Sequence, residues 1–102
     1  MAQFDVYRNP RGTAHPLLLD VQSEVLSRLA TRAVVPMIAI KRYGAKPISR
    51  LNPTAKIAGV EYVLLVQELA AIPASMLSAK LTSLAARRAE IVAALDLLLT
   101  GL

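Results

Sequence analysis

The sequence predicts a small α+β domain, an antiparallel sheet covered or completed by a terminal helix. Three observations carry this expectation. Apolar and polar positions alternate with a two-residue period in several runs, and turn signals rich in proline, glycine and asparagine separate those runs. The stretch from Ser83 to Leu102 then switches to helical spacing.

Taken in order, Gln3 to Arg8 sets Phe4 and Val6 against Gln3, Asp5 and Tyr7, as a half-buried strand requires. Asn9-Pro10-Arg11-Gly12 turns the chain, and Leu17 to Gln22 alternates again, so the two runs are expected to pair as an antiparallel hairpin. Ser23 to Thr31 reads as a connection carrying Val25, Leu26 and Leu29. Ala33 to Ile40 is apolar on both faces and β-branched, a buried strand in which Pro36 predicts a bulge or an edge. Lys41 to Pro47 is a basic, turn-rich loop. Asn52-Pro53 opens an extended segment to Ile57, Ala58-Gly59 turns it, and Val60 to Gln67 alternates, which predicts a hairpin. Ile72-Pro73 is expected to close the sheet region, because a residue before proline is pushed out of the helical basin. This gives four or five strands followed by one helix.

The terminal stretch places Leu84, Ile91, Leu95, Leu98 and Leu102 on one stripe, with Arg87, Glu90 and Asp96 elsewhere. Leucines at this spacing are ordinarily core. Ser83 suits an N-cap, although Met76, Leu77 and Leu81 extend the stripe, so the spacing allows a start near Ser75 or near Ser83. Gly101 suits the left-handed closing position, and Leu99 and Leu102 around Thr100 form a greasy tip that fits a dimer seam or a partner site.

A chain of 102 residues is expected to form one domain, 1–102. Its 55% hydrophobic content is high for a soluble monomer, and with no apolar run near the length of about eighteen that spans a bilayer, buried oligomer surface is the expected reason. The first residues have no basic segment followed by an apolar one, which predicts no secretory signal, and the absence of cysteine agrees with a cytoplasmic location. The net charge of +5 is spread from Arg8 to Arg88 without a dense run, and four aromatics give little base stacking. The excess favours an acidic partner, nucleic acid being one candidate beside an acidic protein segment; the loop with Lys41, Arg42 and Lys46 reads first as solvated surface and second as an acidic-partner site, and Arg11 lies on the other basic loop.

Catalytic equipment is sparse. There is no phosphate-binding loop, no metal-ligand cluster, and the one histidine, His15, adjoins a turn proline. The best enzymatic case is an endoribonuclease that uses the RNA 2′-hydroxyl, with Arg11, Arg32 or Arg42 beside a carboxylate; Asp20 and Glu24 form a conceivable carboxylate couple.

Asp20-Val21-Gln22-Ser23, read with Gln3-Phe4-x-Val6-Tyr7, Val35-Pro36, Ser49-Arg50, Leu51-x-Pro53, Ile57, Ala70-x-x-Pro73-x-Ser75, Leu84, Arg88, Ile91 and Gly101-Leu102, resembles the CcdB family from end to end. These are toxins of bacterial toxin–antitoxin modules that poison DNA gyrase. The resemblance implies a twisted antiparallel sheet with a small three-stranded wing, an SH3-like barrel shared with Kid- and MazF-like toxins, and a C-terminal helix over about residues 83–100. It implies a homodimer, with gyrase A subunit contacts at Val25, Leu26, Asp96, Leu99, Thr100, Gly101 and Leu102. It also implies neutralisation by an antitoxin with an acidic flexible tail, and neither cofactor nor catalysis. The family tip typically reads Trp-Gly-Ile, whereas this chain has Thr100-Gly101-Leu102, with Asp96 replacing an asparagine and Leu99 an aromatic. Loss of an indole anchor commonly costs about 2 kcal/mol or more, so weakened or absent poisoning of a conventional gyrase, or adaptation to a divergent one, is expected. The alternatives are the related endoribonuclease and a non-toxic homologue that retains antitoxin binding.

Overall fold

A computed structural model describes residues 2–11 and 14–101. Leu102 of the expected tip, and Gly12 of the first turn, lie outside the described residues. The strands are β1 (Asp5–Arg8), β2 (Leu17–Asp20), β3 (Thr31–Ala39), β4 (Thr54–Ile57), β5 (Val60–Leu64), β6 (Ala70–Pro73) and β7 (Lys80–Ser83); the helices are α1 (Ile40–Tyr43) and α2 (Arg88–Thr100). Among the described residues all seven strands join one antiparallel sheet in the order β4-β5-β3-β2-β1-β7, with β6 beside β3. The sheet curls into a half-barrel, and α2 covers one side.

The strand alternation assigns the two faces. Val6, Leu19, Val35 and Met37 point to the side where α2 lies, and they pack with Phe4, Leu64, Val66, Ile91 and Ala94. Tyr7, Leu18 and Val34 point the other way and are covered by Leu77, with Ile72 alongside. The sheet is therefore buried on both faces along β2, whose four residues are all buried. Val6, Leu19, Val35, Met37 and Ile91 are sealed from solvent, each contributing roughly 1.5–3 kcal/mol of hydrophobic stabilisation.

The expected first hairpin, β1 with β2, and the second, β4 with β5, are both present. At the second turn Ala58 and Gly59 both hold positive φ, 51° and 82°, as a two-residue primed turn needs. β4, β5 and the Met37–Ala39 end of β3 form the three-stranded wing, continuous with the main sheet.

Five expectations need correction, the first being the strand count: seven strands occur among the described residues where four or five were expected, because β6 and β7 are made strands by their ladders to β3 and β1. β3 is not an edge strand, nor is it bulged against β2: Pro36 stands in register opposite Leu18. Its carbonyl accepts the Leu65 N–H at 2.9 Å, and its missing N–H falls where that side of β3 passes from β6, paired through Val34, to β5, paired from Met37. The proline sits at a seam between two partners, where no ladder bond is forgone. The sheet does not close at Ile72-Pro73, which belong to β6; Pro73 pairs with Thr31 at that strand's end, a position proline tolerates. Of the two expected helix starts, near Ser75 and near Ser83, the first is excluded and the second is displaced toward the C-terminus, since α2 begins at Arg88. Ser75 lies in a 3-10 turn (Ala74–Met76), and Ser83 ends β7, paired with Asp5. A second 3-10 turn (Ala85–Arg87) intervenes before α2 begins at Arg88, and the Ser83 hydroxyl accepts the Ala85 N–H at 3.1 Å, so its capping acts on that turn. Finally, the basic loop is partly helical, with α1 ended by Gly44 at φ 71°.

The terminal stripe is also narrower than its leucines suggest. Leu84, Ile91 and Ala94 are buried, Leu95 packs partly, and Leu98 and Leu99 face solvent.

Candidate macromolecular docking site

Two of the exposed apolar features coincide with the expected target contacts. The first is the connection after β2, where a 3-10 turn (Glu24–Leu26) lifts Val25 to 90% exposure, with Leu26 at 49% and Leu29 at 50%. Local capping shapes it. The Ser23 hydroxyl accepts the Val25 N–H at 3.2 Å, the Ser27 N–H donates to the Glu24 carbonyl at 3.1 Å, and the Leu29 N–H donates to the Leu26 carbonyl at 3.1 Å.

A buried polar chain holds this connection from below. Arg32 Nε and Nη2 both donate to Asp20 Oδ2, at 3.0 and 2.5 Å, with the two side chains 1% and 0% exposed. Asp20 Oδ1 accepts the Gln22 N–H at 3.0 Å. Gln22 Nε2 then donates to the Leu26 carbonyl at 2.8 Å, while its Oε1 accepts the Ala33 N–H at 3.1 Å. The Asp20-Val21-Gln22-Ser23 element thus links the sheet interior to the exposed turn. Nearby, burial pushes the Tyr7 phenol up from its ordinary value, with the charges of Asp5 and Asp20 adding to the shift.

The second feature is the end of α2. Leu99 is 69% exposed, the Thr100 hydroxyl donates to the Asp96 carbonyl at 2.8 Å, and Gly101 at φ 77° closes the helix with its N–H on the Leu97 carbonyl at 3.1 Å. At the other end Arg88 Nη1 donates to Gln3 Oε1 at 3.2 Å, and the guanidinium stands 5.6 Å from the Phe4 ring centre. Phe4 takes φ 72°, a strained value for a bulky residue, held by bonds to the Asp20 carbonyl and from the Leu84 N–H. In the first turn Arg87 Nε and Nη2 donate to the Glu90 carboxylate at 2.8 Å each. That bond holds the Glu90 carboxyl below its usual range and the Arg87 guanidinium above its own.

Of the residues expected at a target contact, Val25, Leu26, Asp96, Leu99, Thr100 and Gly101 are all exposed. The first two share the turn after β2, and the other four share the end of α2. Among the described residues no hydrogen bond joins the two groups, and Gln3 links the turn to the start of α2: its backbone N–H lies 3.4 Å from Glu24 Oε1, and its side chain meets Arg88.

The basic residues do not gather in one patch. Arg11 borders a groove floored by Leu18, Val34, Pro36 and Ile72, whereas Lys41 borders another between α1 and the wing with Ile40, Lys56 and Val60. Arg42 and Lys46 are exposed on and after α1.

The nuclease expectation meets an obstacle at Arg32. Its carboxylate partner is Asp20, as a cleaving pair would need, but the pair is closed to solvent and cannot meet RNA. Arg11 and Arg42 have no carboxylate partner among the described residues. No group of three or more histidine, aspartate or glutamate residues that could hold a metal ion occurs among the described residues. Nor, among these residues, is any helix long and apolar enough to cross a membrane.

Sequence reasoning missed the role of Gln22 in holding the turn after β2. Only the aliphatics without periodicity in Ser23 to Thr31 signalled an exposed crest.

The family model described as "CcdB protein" matches residues 3–101.

Proposed function

We propose, for a chain that belongs to the CcdB family of toxins from toxin–antitoxin modules, that it binds the DNA gyrase A subunit and traps gyrase on cleaved DNA. The match across residues 3–101 carries this reading. The exposed aliphatics of the turn after β2 and of the α2 end support it, since outward apolar side chains favour a protein partner over a reactive pocket. In this reading one toxin domain spans 1–102 and Val25, Leu26, Asp96, Leu99, Thr100, Gly101 and Leu102 contact the target. Two copies bring their helix ends together as a homodimer. An acidic antitoxin docks on Arg11, Lys41, Arg42 and Lys46. The protein works in the cytoplasm, not as an enzyme, and needs no cofactor.

Thr100 tempers the activity. Threonine offers neither the area nor the π-face of an indole, so poisoning of a conventional gyrase is weak. The deciding experiment expresses the chain with and without the neighbouring upstream reading frame and tests purified protein for trapped gyrase–DNA complexes. Growth arrest relieved by that frame, with complexes that disappear on deletion of Leu102, supports the reading. Metal-independent RNA cleavage without such complexes would sink it in favour of the nuclease. Silence in both assays, with the upstream product still bound, would identify a non-toxic homologue.

A further inference from the structure

Every residue from Ser23 to Thr31 faces solvent, yet the segment is held firmly. Gln22, 9% exposed, clasps the Leu26 carbonyl and the Ala33 N–H, and its own N–H is held by Asp20, which Arg32 locks in the sheet interior. Displaying Val25, Leu26 and Leu29 on a fixed backbone leaves apolar surface in water and removes most of the ordering cost of binding. The two charges of the segment differ in orientation. Glu24 turns toward the Gln3 N–H, whereas Arg28 has no hydrogen bond or ion pair among the described residues. The crest therefore offers outward aliphatics and one free guanidinium.

We propose that Leu29 and Arg28 complete this crest as a docking surface for a protein that presents a carboxylate beside an apolar depression, and that Gln22 is its positioning residue. The inference rests on the reading that the crest faces the gyrase A subunit, and it adds contacts that this reading leaves out. An arginine on an apolar rim pairs with carboxylate in a directional, bidentate fashion, so its partner is acidic and the association is sensitive to salt.

The test is calorimetric titration of the purified gyrase A subunit with wild type, Arg28→Glu, Arg28→Lys, Leu29→Ala and Gln22→Ala, each checked first for an unchanged thermal midpoint. Arg28→Glu is expected to weaken binding about ten-fold or more and to flatten its salt dependence, and Leu29→Ala to weaken it about ten-fold. Arg28→Lys should recover only part of the affinity, because the charge remains but the bidentate fork is lost. If Gln22→Ala folds, it should bind more weakly with its contact side chains intact; if it melts early, the Arg28 and Leu29 variants decide alone. Wild-type binding that Arg28→Glu and Leu29→Ala leave unchanged overturns this inference and spares the functional reading. No binding by the wild type overturns both. A loss that appears only in self-association by sedimentation, or only in binding to the upstream frame's product, assigns the crest to a second copy or to the antitoxin and likewise overturns it.

Discussion

Asp20 and Arg32 show at the level of single residues how a chemically suggestive pair becomes structural. Arg32 Nη1 is buried without a hydrogen-bond partner among the described residues, so the pair is imperfectly satisfied and depends on geometry to repay its desolvation. Replacing one partner alone strands a buried charge. Arg32→Leu or Asp20→Asn should therefore cost about 3–5 kcal/mol in urea melts, while the double change Asp20→Leu with Arg32→Met should cost much less. Tyr7 supplies a pH prediction. Its folded-state pKa is raised from 10.0, so the folded form holds the phenolic proton more tightly than the unfolded chain. Stability from this source is complete below pH 10.0 and is lost as the pH rises through the folded value. Alkaline titration followed by circular dichroism should show that loss in the wild type and less of it in Tyr7→Phe.

Elements gain or lose stability through their ends and buried faces. α2 has no side-chain cap at Arg87 and relies on packing, with Ile91 fully buried and Arg88 fastened to Gln3 and Phe4. Ile91→Ala should lower stability by about 2–5 kcal/mol, a shift that chemical denaturation reads directly. The wing turn is strained instead. Ala58 holds φ 51°, a left-handed value that costs an L-residue roughly 1–2 kcal/mol. Ala58→Gly should therefore raise the thermal midpoint by a few degrees, with the more flexible unfolded chain offsetting part of the gain. An unchanged midpoint would mean that the turn is relaxed. The Arg87–Glu90 pair lies on the surface; lowering the pH through the depressed Glu90 value removes its attraction, but screening keeps the effect small.

Across the whole molecule, burial alters the charge balance that partners meet. Of the seven carboxylates Asp5 and Asp20 are buried, whereas of the twelve cations only Arg32 is, so the solvent-facing surface is more positive than the formal +5. This cationic excess suits the acidic antitoxin proposed above and opposes the proposed pairing of two copies unless apolar surface seals the contact. Raising salt from about 0.05 to 0.5 M should slow antitoxin association, read by stopped flow, and tighten self-association, read by sedimentation equilibrium. Opposite salt responses at the two interfaces would separate them without any substitution.

How much of this was legible in the sequence follows from what each signal depends on. The two hairpins and the closing glycine could be read directly, because alternation in Val6, Leu19 and Leu64 and the left-handed demand at Gly59 and Gly101 are local. The family resemblance and the exposure of Val25 and Leu99 were also accessible, since neither residue continues a buried period. β6 and β7 escaped notice. Each has four residues and little buried surface, so only the ladders to β3 and β1 make them strands, and those ladders pulled Ser83 out of the helix to which its spacing assigned it. The Arg32–Asp20–Gln22 chain escaped for the same reason: it joins two strands and a turn through hydrogen bonds that no linear pattern encodes. The sequence by itself determined the local periods and turns, which depend on neighbours along the chain; tertiary structure alone decided where the helix begins and which polar groups are sealed, because both depend on partners distant in sequence.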